Sequence, residues 1–154
     1  MIKLTAQAVT VDAAKGDTPS RTLSGIALPY GETAIVSDGT AVRFMPGSLP
    51  VEGKAPKLFM YHDSTKPVGL VTARQDTDQG MLFTAKVSAT AAGDEALTLA
   101  LDGVLDAVSV GVNPTRYSYD EDGTMIVEAA EWLELSLVPV PAFAGAEIRE
   151  VYAS

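Results

Sequence analysis

Apolar and polar residues alternate along most of the chain, in short runs that stop at glycine, proline or aspartate. LTAQAVTVDA (4–13) has a period of two and predicts a first strand, followed by the polar turn AKGDTPS. RTLSGIALPYG (21–31) predicts a second, ended by Pro29 and Gly31, and AVRFMPGSLP (41–50) a third, broken at Pro46-Gly47. PKLFMYHD (56–63) reads as a further strand. PVGLVTARQD (67–76) and MLFTAKVSA (81–89) predict a hairpin across the turn from Asp76 to Gly80. DAVSVGVNP (106–114) is a β-branched run closed by Pro114, TRYSYDEDGTMIVEA (115–129) predicts a hairpin about Asp120 to Gly123, and EWLELSLVPV (131–140) is a strongly apolar strand. The tail PAFAGAEIREVYAS (141–154) reads as loop followed by a short, weak element.

One segment has helical spacing. Between Thr90 and Leu105, Ala96, Leu97, Ala100, Leu101 and Val104 recur on one helix face, with Asp94 and Glu95 in the first turns, where carboxylates suit the positive helix end. Gly103 weakens the last turn. Many short strands and one helix predict a mainly β fold, an antiparallel barrel with the helix packed outside. At 154 residues, without internal repeat or low-complexity segment, the chain is expected to be one domain, 1–154.

Composition narrows the function classes. A hydrophobic fraction of 47% argues against disorder. Net charge is −9 and the eleven Lys and Arg are scattered singly, which argues against binding nucleic acid or an anionic membrane. No cysteine is present, so a thiolate metal site, a disulfide and a cysteine nucleophile are excluded. The N-terminal residues lack the apolar core of a signal peptide, and no apolar run reaches the length of a membrane span. These features predict an acidic intracellular domain that is not secreted.

Three residues stand out chemically. His62, the single histidine, ends the apolar run Leu58–Tyr61; alternation places Leu58, Met60 and His62 on one strand face, with Phe59 and Tyr61 on the other. It is either a strand-end structural histidine or the one imidazole available for proton transfer. Ser109 lies among Val108, Val110 and Val112, with Ala107 and Gly111 two positions either side. It is either a small core residue or a hydroxyl whose small neighbours leave room for a substrate carbonyl. Glu134 interrupts the apolar run of Trp132, Leu133, Leu135, Leu137 and Val138 and requires a partner, Arg116 or an imidazole N–H. Asp63 is a poor alternative, because its side chain falls on the opposite strand face from His62.

The segments SGIALPYGE, RFMPGSL, LFMYHDSTKPVGLV, GVLDAVSVGVNPTRYSYDEDG and WLELSLVPVPAFAGAEI together resemble the prohead serine proteases of tailed bacteriophages, over roughly residues 22 to 148. These capsid-maturation enzymes are similar in fold to herpesvirus assemblin. The resemblance implies an assemblin-like barrel with His62 as general base, Ser109 as nucleophile and Glu134 as the acidic third member. Backbone N–H groups of Ala142 and Phe143 would serve the oxyanion; the family often has Pro-Ala-Asn where this chain has Pro141-Ala142-Phe143. It also implies the major capsid protein precursor and a scaffold segment as substrates, self-association, for instance as a dimer, and a place inside the assembling prohead in the host cytoplasm. No cofactor and no metal are implied.

The turns DTDQG and DEDG do not make calcium sites: counted from Asp120, Met125 stands where an EF-hand loop needs glycine. Met45, Met60, Met81 and Met125 read as core fillers. Two rival functions remain open at this level: a catalytically inactive β-barrel module of capsid assembly, and a hydrolase of small esters using the same three side chains.

Overall fold

The computed structural model describes residues 2–6, 21–36, 38–139 and 150–152. Ten strands and one helix follow in the order β1 (Ile2–Ala6), β2 (Thr22–Pro29), β3 (Thr33–Ile35), β4 (Ala41–Phe44), β5 (Lys57–Met60), β6 (Asp63–Asp76), β7 (Gly80–Val87), α1 (Ala91–Leu101), β8 (Ala107–Tyr119), β9 (Met125–Val138) and β10 (Glu150–Tyr152). The strands form one curled sheet in the order β1-β8-β9-β5-β6-β7-β2-β10, with β4 also on β9 and β3 on β4. It is a mainly β, half-barrel architecture with a flanking helix, as the patterning predicts.

Both predicted hairpins form, β6 with β7 and β8 with β9. Their turns are built by local side-chain bonds. Thr77 Oγ1 accepts the Gly80 amide at 3.1 Å, and Asp120 Oδ1 accepts the amides of Asp122 and Thr124, each at 2.9 Å. These acidic turns are hairpin devices.

Not every pairing is antiparallel. Strand β9 runs parallel to β5, with Leu58 opposite Leu135 and Phe59 opposite Ser136, and parallel to β4. This central position explains the apolar composition of its second half: Leu135, Ser136 and Leu137 are fully buried. The core gathers Leu23, Leu28, Phe44, Leu58, Phe83 and Leu105 with the valines of β8.

The helix is capped at its start by Thr90. Thr90 Oγ1 accepts the Gly93 amide at 3.0 Å. It ends at Leu101, short of the expected Leu105. Gly103 then turns with φ 76°, and Leu101 and Val104, expected on the buried face, are 56% and 51% exposed. Met60 and Met81 are core residues as expected, whereas Met45 is exposed on the turn after β4. Strand β3 had no clear signal, being three residues long at the edge of β4. Of the segment predicted as a first strand, 4–13, residues 4–6 belong to β1, which begins at Ile2 and pairs with β8, and residues 7–13 lie outside the described residues.

Candidate active site

The site is assembled on β8 and β9. Ser109 lies opposite Ser136, and Gly111 opposite Glu134. Because alternate strand residues share a face, these positions form a two-by-two block on one side of the sheet. A register shift next to Glu134, where Val112 pairs with Trp132, leaves Leu133 as the extra residue of a β-bulge. Leu133 turns out to 40% exposure, while Trp132 Nε1 donates to the Glu134 carbonyl at 3.0 Å. The bulge lets an apolar run carry its carboxylate inward.

His62 reaches this block from the turn between β5 and β6. Met60 pairs directly with Asp63, so Tyr61 and His62 are the two central residues of a tight hairpin turn. Their φ angles are 56° and 58°, the left-handed region that a type I′ turn demands and that non-glycine residues enter at a cost. The expected continuation of strand alternation through His62 therefore fails; the strand stops at Met60. Leu137 O accepts the Tyr61 amide at 3.1 Å and Ser136 Oγ accepts the His62 amide at 2.9 Å, tying the turn to β9. Asp63 binds its own turn exit, accepting from the Thr65 hydroxyl and amide. The Thr65 hydroxyl, then its amide, hold that carboxyl below the usual carboxylate range.

The imidazole bridges two groups. Its Nε2 lies 2.7 Å from Ser109 Oγ, and its Nδ1 is in short contact with Glu134 Oε1. The tautomer that satisfies both has Nδ1–H donating to the carboxylate and Nε2 accepting from the serine hydroxyl. The second carboxylate oxygen, Oε2, accepts from Ser136 Oγ at 2.8 Å. The alternative partner for Glu134, Arg116, instead pairs with Glu128 at 3.0 Å on the exposed arm of β8 and β9. Ser109 and Glu134 are 1% and 3% exposed, so His62 is the member of the three that opens to solvent.

The structure thus brings His62, Ser109 and Glu134 together. Gly111 has a different use from the one expected. Its missing side chain leaves space for the Glu134 carboxylate, since a Cβ there would lie 2.4 Å from Oε1. Ser136 was not anticipated. Its position two residues beyond Glu134, hence on the same strand face, is the signal that could have found it. Ala142 and Phe143 lie outside the described residues. Among the described residues no group of three or more His, Asp or Glu is placed to hold a metal ion.

A hydroxyl on one imidazole nitrogen and a carboxylate on the other, set in a curled β sheet, is the constellation of the serine hydrolases. The chain belongs to the caudovirus prohead serine protease family, whose model matches residues 7–154. Its fold is similar to that of the capsid assembly protease of bacteriophage T4, at 13% identity and a TM-score of 0.55, over 90% of this chain and 97% of that one. No curated protein matches it. No described helix is long and apolar enough to cross a membrane.

Proposed function

We propose that this chain is a serine endopeptidase that removes the scaffolding segment of the major capsid protein, or cleaves a scaffold protein, during prohead maturation. The observation that carries this reading is the His62 ring, in contact with Ser109 Oγ at 2.7 Å through one nitrogen and with Glu134 through the other. Family membership supplies the reaction class.

In the first half-reaction, Ser109 Oγ bonds to the scissile carbonyl carbon while His62 Nε2 takes the hydroxyl proton. The carbonyl π pair moves onto oxygen. Collapse of that adduct breaks the C–N bond, and the leaving amine takes the proton back from Nε2. In the second, water adds to the acyl ester with the same base, and Ser109 leaves with its proton restored. Glu134 keeps Nδ1–H oriented and balances the imidazolium charge. From the family resemblance, the oxyanion would be held by the amides of Ala142 and Phe143. Ser109 is buried in this conformation, beneath the His62 ring nitrogen that accepts its proton.

The test is co-expression with the major capsid protein precursor, wild type beside Ser109→Ala, read by intact mass. Wild type is expected to release a discrete capsid segment, and Ser109→Ala to slow that release by about 10⁴-fold or more. Cleavage by both forms would place the nucleophile elsewhere. No cleavage by either, with both proteins folded and assembled, would make the chain an inactive assembly module.

A further inference from the structure

We propose that Ser136 is a positioning residue: its one hydroxyl fixes both the acidic member of the site and the backbone of the histidine. This rests on the protease reading above and adds a residue to it. A serine hydroxyl has one proton to donate and lone pairs to accept. Here the proton goes to Glu134 Oε2 at 2.8 Å, and a lone pair takes the His62 amide at 2.9 Å. The contacts close a ring running from Ser136 to the Glu134 carboxylate, through the imidazole and the His62 backbone, and back to Ser136.

Three features show that this is more than a buried serine finding any partner. Ser136 is fully buried in the most apolar part of β9, where alanine would fit without needing partners. Its two bonds go to the two residues whose mutual placement sets the site. Finally, the His62 amide lies outside the ladder of backbone pairs, in a turn whose φ of 58° is unfavourable for histidine. The hydroxyl holds that amide in place. Without Ser136, among the described residues the Glu134 carboxylate keeps the contact of Oε1 with the ring, and of the two turn amides bonded to β9 the Tyr61 amide on Leu137 O remains.

Because His62 is the single histidine of the chain, its ring signals in ¹⁵N-labelled protein need no assignment. The experiment compares wild type, Ser136→Ala, Ser136→Thr and Ser109→Ala. Two quantities are read: turnover of a peptide spanning the capsid cleavage site, and the Nδ1–H resonance of the ring proton hydrogen-bonded to Glu134. Ser136→Ala is expected to lower kcat about 10- to 100-fold with KM little changed, and to broaden or lose the resonance. Ser136→Thr, which restores the hydroxyl, should recover most of both. Ser109→Ala should abolish turnover and keep the resonance.

Wild-type kcat and an intact resonance in folded Ser136→Ala would overturn the proposal. Should the alanine variant not fold, amide hydrogen exchange of the wild type takes its place, and a His62 amide that exchanges as fast as an unbonded turn amide would overturn the proposal equally. The two readings fail separately. Turnover that survives Ser109→Ala places the nucleophile elsewhere and sinks the catalytic assignment of Ser109, while the resonance still reports whether Ser136 holds the ring. Turnover lost with Ser109→Ala but unchanged in Ser136→Ala sinks only the positioning role.

Discussion

Gly111 is the residue on which the Glu134 carboxylate rests. A Cβ at that position would stand 2.4 Å from Oε1 and 2.8 Å from the Glu134 Cγ and Cδ atoms, distances no packed structure tolerates. Gly111→Ala is therefore expected to displace the carboxylate from His62. Peptide turnover should drop by about 100-fold, since a shift on the order of 1 Å at a reacting group has that effect. Thermal unfolding should show a loss of about 1–3 kcal/mol from overpacking. Unchanged turnover would mean that Glu134 is not needed where it sits. The sequence made the three chemical residues visible because each is at odds with its surroundings: a lone imidazole, a hydroxyl among valines, a carboxylate inside a leucine run. Gly111 and Ser136 are small and suit a strand interior, so only the register between β8 and β9 shows what they do. The same limit explains Arg116, a plausible partner for Glu134 by charge, which the register instead places beside Glu128.

The turn of Tyr61 and His62 is the element that determines where the base is held. Two-residue turns of this kind favour Asn-Gly, because both central residues need positive φ. Tyr-His lacks that signature, and the sequence therefore reads as strand running through. His62 keeps its φ of 58° through its contacts to Ser136, Glu134 and Ser109, but Tyr61 is 44% exposed and gains little from its side chain. Tyr61→Asn is expected to stabilise the protein by about 1 kcal/mol, read as a raised urea midpoint, while leaving the Tyr61 amide bond to β9 in place. A lowered midpoint would show that the tyrosine ring packs usefully, for instance beneath Lys66, whose ammonium lies 5.9 Å from the ring centroid. Elements with ordinary turn chemistry were legible: the hairpin about Asp120 to Gly123 and the start of the helix near Thr90 both stand where their residues predict. The helix end was not, because Leu101 and Val104 keep a helical spacing that no neighbouring surface uses.

Across the whole molecule, a second polar link joins the ends of β2 and β6, from the buried Tyr30 to the exposed Asp76. The Tyr30 hydroxyl donates to Asp76 Oδ1. Burial, then the hydrogen bond to Asp76 and its negative charge, push the phenol well above its ordinary range. A group raised on folding contributes stability that is complete below its unfolded value and lost as pH climbs past it. Unfolding free energy should therefore decline as pH rises past about 10, the ordinary tyrosine value, and Tyr30→Phe should flatten that decline while costing about 1 kcal/mol at neutral pH. A wild-type profile retained in Tyr30→Phe would assign the alkaline loss to other groups. At this scale the sequence showed the mainly β class and the flanking helix. It did not show strand order, because the parallel pairings of β9 with β4 and β5 join segments with no local signal between them. Those pairings also affect timing. His62 and Glu134 are 72 residues apart, and β9 follows both His62 and Ser109 in the chain. A ribosome that has released Ser109 and His62 has not yet released the strand that orients them. Long-range strand pairing is also the slow part of folding such a sheet. On the protease reading the unfinished chain is thus chemically silent while it emerges, and a substrate made beside it is exposed to cleavage only after β9 has been synthesised and has docked.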